Sequence, residues 1–211
     1  MIGEVKMNYF IFIILGYLSG SILYAYFIPK LILNVDIREK SNDGNPGTVN
    51  AFMNSGIFLG IIVLIFELGK GFIPVWISTH FVDLENWLFA GILVAPVLGH
   101  AFPLFSLKNG GKAIAVSFGS LLGLFPIMEP VLILAFFYIL FSVVIIVNPH
   151  FFRSIITFFL FSFFCIFLVE NKAIILGCCI ISVIVVFKHF MKYEAEKLKI
   201  TPFYKLINDK G

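Results

Sequence analysis

A chain of 211 residues that is 60% hydrophobic and only 13% charged is not an ordinary soluble domain, where about a quarter of residues carry charge. Its formal net charge of +3 comes without any Lys/Arg run interleaved with aromatics, which argues against a nucleic-acid partner. Uncharged stretches such as 7–29 and 87–107 reach the length of a membrane-crossing helix, and the period-2 alternation of a membrane barrel is absent. The expected fold is therefore an all-α polytopic membrane protein.

The first span is expected over 8–33, too long for the apolar region of a signal peptide and so retained. Gly16 and Gly20 give a small-xxx-small spacing that allows a close helix contact. Gly20 and Ser21 can alternatively line a polar cavity.

A polar, glycine-rich stretch follows, Asp36-Ile-Arg-Glu-Lys-Ser-Asn-Asp-Gly-Asn-Pro-Gly-Thr-Val-Asn50. Gly44 and Gly47 let backbone N–H groups turn toward an anion, Asn45 and Asn50 offer amide donors, and Arg38 and Lys40 offer charge. The same Gly-Asn-Pro-Gly is also what a plain tight turn looks like.

The next apolar segment contains Glu67, Lys70, Gly71 and Pro74. Ionisable residues at membrane depth are costly, and Glu67 and Lys70 lie on one helix face, as a structural ion pair or part of a polar site. The glycines and Pro74 predict a broken span here. An acidic loop with Asp83 and Glu85 leads to a span over 87–105, in which His100 reads as a packing residue more than a ligand.

The second informative stretch is Lys108-Asn-Gly-Gly-Lys112, just before a helix that starts near Ala113. A glycine-rich turn feeding a helix N-terminus, with a lysine beside it, suits a phosphate. It is not a nucleotide P-loop, because Ser106 replaces the leading glycine and Ala113 stands where a magnesium-binding Ser or Thr belongs.

Further spans are expected over 113–125, 131–147, 154–169 and 173–187. Cys165, Cys178 and Cys179 fall inside spans without ligand spacing and read as reduced packing residues. The four histidines, 80, 100, 150 and 189, show no H-E-x-x-H spacing, and no G-x-S-x-G elbow is present.

Seven spans put the loops on alternating sides. The side holding 34–50, 106–112, 148–153 and 188–211 carries eleven Lys and Arg, the other side only Lys6 and Lys172. By the positive-inside rule the N-terminus is outside and the C-terminus cytoplasmic. This gives one seven-span domain, 1–190, and a basic cytoplasmic tail, 191–211. Both glycine-rich stretches and His189 then share the cytoplasmic face. A phosphate site there suits an enzyme acting on a phosphorylated small molecule and a lipid, or a transporter of an organic phosphate.

The order of motifs carries a resemblance. Gly20-Ser-Ile, Asp36-Ile-Arg, Gly44-Asn-Pro-Gly-x-x-Asn50, Glu67-x-x-Lys-Gly71, Gly99-His-x-Phe-Pro103, Gly110-Gly-Lys112 and Lys188-His189 resemble the bacterial acyl-phosphate:glycerol-3-phosphate acyltransferases, the PlsY family. The resemblance implies a seven-span enzyme of the bacterial cell membrane with its site at the cytoplasmic face. It would move a fatty acyl group from acyl phosphate to the 1-hydroxyl of glycerol 3-phosphate, forming lysophosphatidic acid for phospholipid synthesis. No cofactor, metal, acyl-CoA or acyl carrier protein is implied, and the partners are the two substrates and membrane lipid.

On that resemblance Lys112 and His189 are the catalytic candidates, His189 by orienting the site. Gly44, Asn45, Gly47, Asn50, Gly110, Gly111 and Lys70 would hold substrate or phosphate. The chain departs from the family pattern at Glu67 for aspartate, Asp43 for serine, Val49 for threonine and Met53 for arginine. Ala113 replaces a glycine, Val116 a threonine and Lys192 an asparagine. Asp43 and Met53 both make an anion site less positive, and Lys192 returns one charge. The alternative readings are an impaired homologue that binds lipid or a partner, and an acyltransferase with another donor or acceptor.

Overall fold

The computed structural model describes residues 2–41, 44–104, 110–191 and 197–202, with the side chains of 2–7 outside that set. The chain is mostly helical: α1 (Ile2–Ser21), α2 (Tyr24–Leu33), α3 (Ile37–Lys40), α4 (Thr48–Ser55), α5 (Ile57–Ser78), α6 (Leu88–Ala101), α7 (Ile114–Leu122), α8 (Glu129–Ile139), α9 (His150–Leu168) and α10 (Lys172–Met191). Two short strands, β1 (Ile145–Asn148) and β2 (Lys199–Pro202), complete it.

The bundle is built round α6, which is apolar on every side and buried along almost its whole length, as a core helix must be. It packs against α1, α10, α7 and α5. Glycine makes the closest of these approaches possible. A Cβ on Gly20 would run into the Pro96 carbonyl, and one on Gly99 into the Tyr17 carbonyl. The small-residue spacing of the first span thus serves the α1–α6 crossing, where the two backbones nearly touch.

Large apolar side chains face outward all round the bundle, Leu31 at 81% and Met53 at 78% exposure among them, which in water would be prohibitive and in lipid is neutral. Among the described residues three helical stretches are long and apolar enough to cross a membrane: Thr48–Ser78, His150–Leu168 and Lys172–Met191. The pair Asn8–Ser21 and Tyr24–Leu33, bent by 40°, makes a fourth if taken as one span.

Two expectations about continuity are corrected. The break predicted between Glu67 and Pro74 does not occur, because α5 runs straight through Pro74. Proline removes the N–H that would have bonded the Lys70 carbonyl one turn back. Ser19 of α1 supplies the donor instead, its hydroxyl 2.9 Å from that carbonyl. The break lies earlier, at Gly56 between α4 and α5, whose φ of +83° favours a residue without a Cβ. Conversely the first span, expected as one helix over 8–33, is interrupted at Ile22–Leu23.

One helix of the all-α expectation is shorter than predicted. The helix predicted over 131–147 ends at Ile139, passes through a π turn at Leu140–Val144 and becomes the strand β1, rich in β-branched residues. β2 returns from the tail to pair with it antiparallel, Ile145 opposite Pro202 and Asn148 opposite Lys199. Arg153 fastens the turn after β1, donating to the Val147 carbonyl at 3.0 Å and to Asn148 Oδ1 at 3.1 Å.

Gly20→Leu or Gly99→Leu is expected to destabilise the protein by about 3 kcal/mol, seen as a fall of roughly 10 °C in melting temperature in detergent. Gly69→Ala, at a helical site with nothing within 4 Å of the added carbon, should change it little or raise it slightly.

Candidate functional site

Where the first span breaks, backbone groups lose their helical partners. Two buried charges from α5 take their place. Lys70 Nζ donates to the Ile22 carbonyl at 2.7 Å, and Glu67 Oε1 accepts from the Ala25 N–H at 3.2 Å, in the first turn of α2. The two side chains form an ion pair of 2.7 Å, each 1% exposed. His100 of α6 completes the cluster, its Nδ1 2.8 Å from Lys70 Nζ and 3.1 Å from Glu67 Oε2.

His100 Nδ1 stands between two opposite demands, the Lys70 ammonium, which only donates, and the Glu67 carboxylate, which only accepts. Lys70, expected to hold phosphate, has its three N–H directed to Glu67, Ile22 and His100. Of the two readings open for the Glu67–Lys70 pair, the geometry fits the structural one.

The second glycine stretch is seated on this cluster. The Gly111 N–H donates to the His100 carbonyl at 3.1 Å. A Cβ on Gly111 would run into His100 Nε2, and one on Gly110 into the Ala101 carbonyl. Lys112 follows, half-buried, and Ala113 opens α7 with its carbonyl accepting from the Ser117 N–H at 3.0 Å and hydroxyl at 2.7 Å. Ala113 has φ +62° and ψ 14°, the left-handed conformation. The backbone here has a conformation natural to glycine, which alanine adopts at a cost of about 1–2 kcal/mol. The result is a close-packed turn and a lysine at a helix N-terminus, an arrangement suited to an anion.

His189 is buried in the last turns of α10, with Nδ1 2.8 Å from the Val185 carbonyl. A carbonyl only accepts, so Nδ1 carries the proton and the ring is held in one orientation. Because α10 packs on α6, the end of α10 is brought to the end of α6: Lys188 Nζ lies 4.8 Å from the centre of the Phe102 ring.

The first glycine stretch is built separately. Asp36 caps α3 through the Arg38 N–H at 3.0 Å and grips the Arg38 guanidinium at 3.0 and 2.7 Å, with the guanidinium carbon 3.8 Å from the centre of the Tyr26 ring. Those hydrogen bonds hold the Asp36 carboxyl below the usual carboxylate range. Gly44 is exposed at φ +56°, and the Gly47 N–H and Asn50 Nδ2 both donate to the Asn45 carbonyl at 2.8 Å. Asn50 is therefore a staple of the turn. The turn precedes α4, which packs on α2, α3 and α5.

The structure thus brings Gly110, Gly111 and Lys112 onto the Glu67–Lys70–His100 cluster, with the end of α10 close by. The turn of Gly44, Asn45, Gly47 and Asn50 is tied to the cluster through α2. Asn42, Asp43, Ser106, Lys108, Asn109 and Lys192 lie outside the described residues. Of the departing positions, Val49 and Met53 are exposed and Val116 is fully buried. Sequence reasoning gave His100 too small a part. The signal available was its neighbour Gly99, which marks close packing, together with the two ionisable residues at similar depth.

A family model described as glycerol-3-phosphate acyltransferase matches residues 10–195. The chain is 33% identical over 183 residues to the glycerol-3-phosphate acyltransferase of Fusobacterium nucleatum, covering 87% of this chain and 91% of the relative. It is 42% identical over 113 residues to that of Thermotoga petrophila, covering 54% of this chain and 57% of the relative. With that relative and those of Pseudoalteromonas translucida and Exiguobacterium sibiricum, the match spans 53% to 59% of their length. Among solved structures, the glycerol 3-phosphate form of PlsY (YgiH), an integral membrane glycerol 3-phosphate acyltransferase, superposes with a TM-score of 0.74 at 25% identity, covering 86% of this chain and 88% of that one. Its lysophosphatidic acid form gives a TM-score of 0.69.

Removing one partner of the buried pair, in Glu67→Gln or Lys70→Met, is expected to cost about 3–5 kcal/mol, because a charge is left unmatched. The double variant Glu67→Gln/Lys70→Met should cost clearly less than the sum, and melting curves of the four proteins measure that coupling. Ala113→Gly should raise the melting temperature by roughly 2–4 °C by relieving the left-handed strain.

Proposed function

Because the chain belongs to the glycerol-3-phosphate acyltransferase family, we propose that it transfers a fatty acyl group from acyl phosphate to the 1-hydroxyl of glycerol 3-phosphate, at the cytoplasmic face of a bacterial cell membrane. The observation that carries this reading is the Gly110–Lys112 turn at the start of α7, seated on His100 and so on the buried ion cluster. Lys112 stands just before the N-terminus of α7, where first-turn N–H groups and the helix dipole favour an anion such as phosphate.

In this reading the hydroxyl oxygen attacks the acyl carbonyl carbon, the bond from that carbon to the phosphate oxygen breaks, and the leaving phosphate takes up the hydroxyl proton. Lys112 and the first-turn N–H groups of α7 offset the charge that collects on the phosphate as the bond breaks. His189, its ring fixed by Val185, orients the substrate, and the turn at Gly44–Asn50 closes the site as a second cradle. Lys70 serves from behind, by holding His100 under Gly111.

Seven membrane segments, with the N-terminus outside and the C-terminus in the cytoplasm, complete the proposal. The segments are α1 with α2, α4 with α5, α6, α7, α8 with its π turn, α9 and α10. The eleven-to-two excess of Lys and Arg on one set of loops supports the orientation. The superposition on an integral membrane acyltransferase supports the membrane setting.

The purified protein is expected to convert acyl phosphate and labelled glycerol 3-phosphate to lysophosphatidic acid, with acyl-CoA unable to replace the donor and a chelator without effect. Lys112→Ala should lower kcat/KM by about 10²–10³-fold while the protein stays folded. Absence of turnover by folded wild-type protein, or turnover that Lys112→Ala leaves unchanged, overturns the assignment.

A further inference from the structure

Lys188 is among the largest fully buried side chains, at 0% exposure. Its ammonium nevertheless has no hydrogen-bond partner among the described residues. What it meets is the face of Phe102, 4.8 Å from the ring centre. A cation held over a phenyl ring regains only a fraction of the hydration lost on burial, so an isolated ammonium is expensive there. The other buried carboxylate of this region offers no relief, since Glu67 is already matched with Lys70 and His100. Among the described residues the buried polar set therefore carries one positive charge more than it balances.

The position of this surplus charge matters. Phe102 directly follows Ala101, whose carbonyl packs against Gly110, and His100, whose carbonyl accepts from the Gly111 N–H. The unmatched ammonium thus borders the turn that the acyltransferase reading gives to phosphate.

We propose that Lys188 is a buried phosphate ligand of this site, a second cation beside Lys112 whose missing counter-charge is the phosphate monoester of glycerol 3-phosphate or the phosphate of the acyl donor. The proposal rests on that reading for the identity of the phosphate. Its physical basis is independent of it. A purely structural lysine, packed on Phe102 for its methylenes, would be replaced by methionine without consequence for any ligand.

The test compares wild-type protein with Lys188→Met and Lys188→Arg in two measurements. The first is the thermal shift produced by glycerol 3-phosphate and by inorganic phosphate. It is expected in wild type, retained in large part by Lys188→Arg and lost in Lys188→Met, whose own melting temperature without ligand should equal or exceed that of wild type. The second is steady-state kinetics, where Lys188→Met should raise one KM by about 10- to 100-fold, the range of a charge-assisted hydrogen bond. A rise confined to glycerol 3-phosphate assigns the ligand to the acceptor, and one confined to acyl phosphate to the donor. Equal thermal shifts and unchanged KM values in folded Lys188→Met overturn the proposal. Should Lys188→Met fail to fold, a thermal shift and KM values in Lys188→Arg that match those of Lys188→Gln overturn it too. If wild type gives no turnover, the acyltransferase reading falls, while the thermal shifts still decide whether Lys188 binds phosphate.

Discussion

Four segments of the chain hang on one buried charge cluster. Glu67 and Lys70 replace the backbone bonds lost where the first span breaks, tie α5 to that break, and through His100 hold the end of α6. The glycine turn before α7 then rests on His100. A buried ion pair adds little net stability, because desolvation offsets most of the attraction. Its contribution here is geometric. Each of the groups has one satisfying arrangement, so the broken span, the two neighbouring helices and the turn are fixed relative to one another. A hydrophobic replacement would fill the same volume and leave the broken backbone of α1–α2 without partners.

The membrane class, the small-residue helix contact and the two polar glycine stretches were legible because each is written in composition or local spacing. The positions of the breaks were not. Pro74 is read locally as a helix breaker, and only the fold brings Ser19 to the carbonyl that proline leaves without a donor. Ile22–Leu23 carries no breaking residue at all; the break is stabilised by side chains about 45 positions away. His100 was underrated for the same reason, since its partners lie on another helix. Asn50, expected to hold substrate or its own loop, donates to the Asn45 carbonyl of that loop. The strand at Ile145–Asn148 was hidden because a β-branched apolar run reads equally as the end of a membrane helix, and its partner lies in the tail.

The departures from the family pattern fall into physically different kinds. Val49 and Met53 are exposed on α4. Val116 fills a sealed position in α7, and Ala113 retains a glycine-like backbone under strain. Such strain beside the Gly110–Lys112 turn is typical of positions whose conformation is dictated by their surroundings.

The pairing of β1 with β2 has a mechanical corollary. It joins the chain after α8 to the chain after α10, closing residues 145–202 into a ring that contains both α9 and α10. The tail is thereby a hasp across the foot of the last two helices. The chain before α9 and the chain after α10 thus share one anchorage, the backbone bonds between positions more than fifty residues apart in sequence.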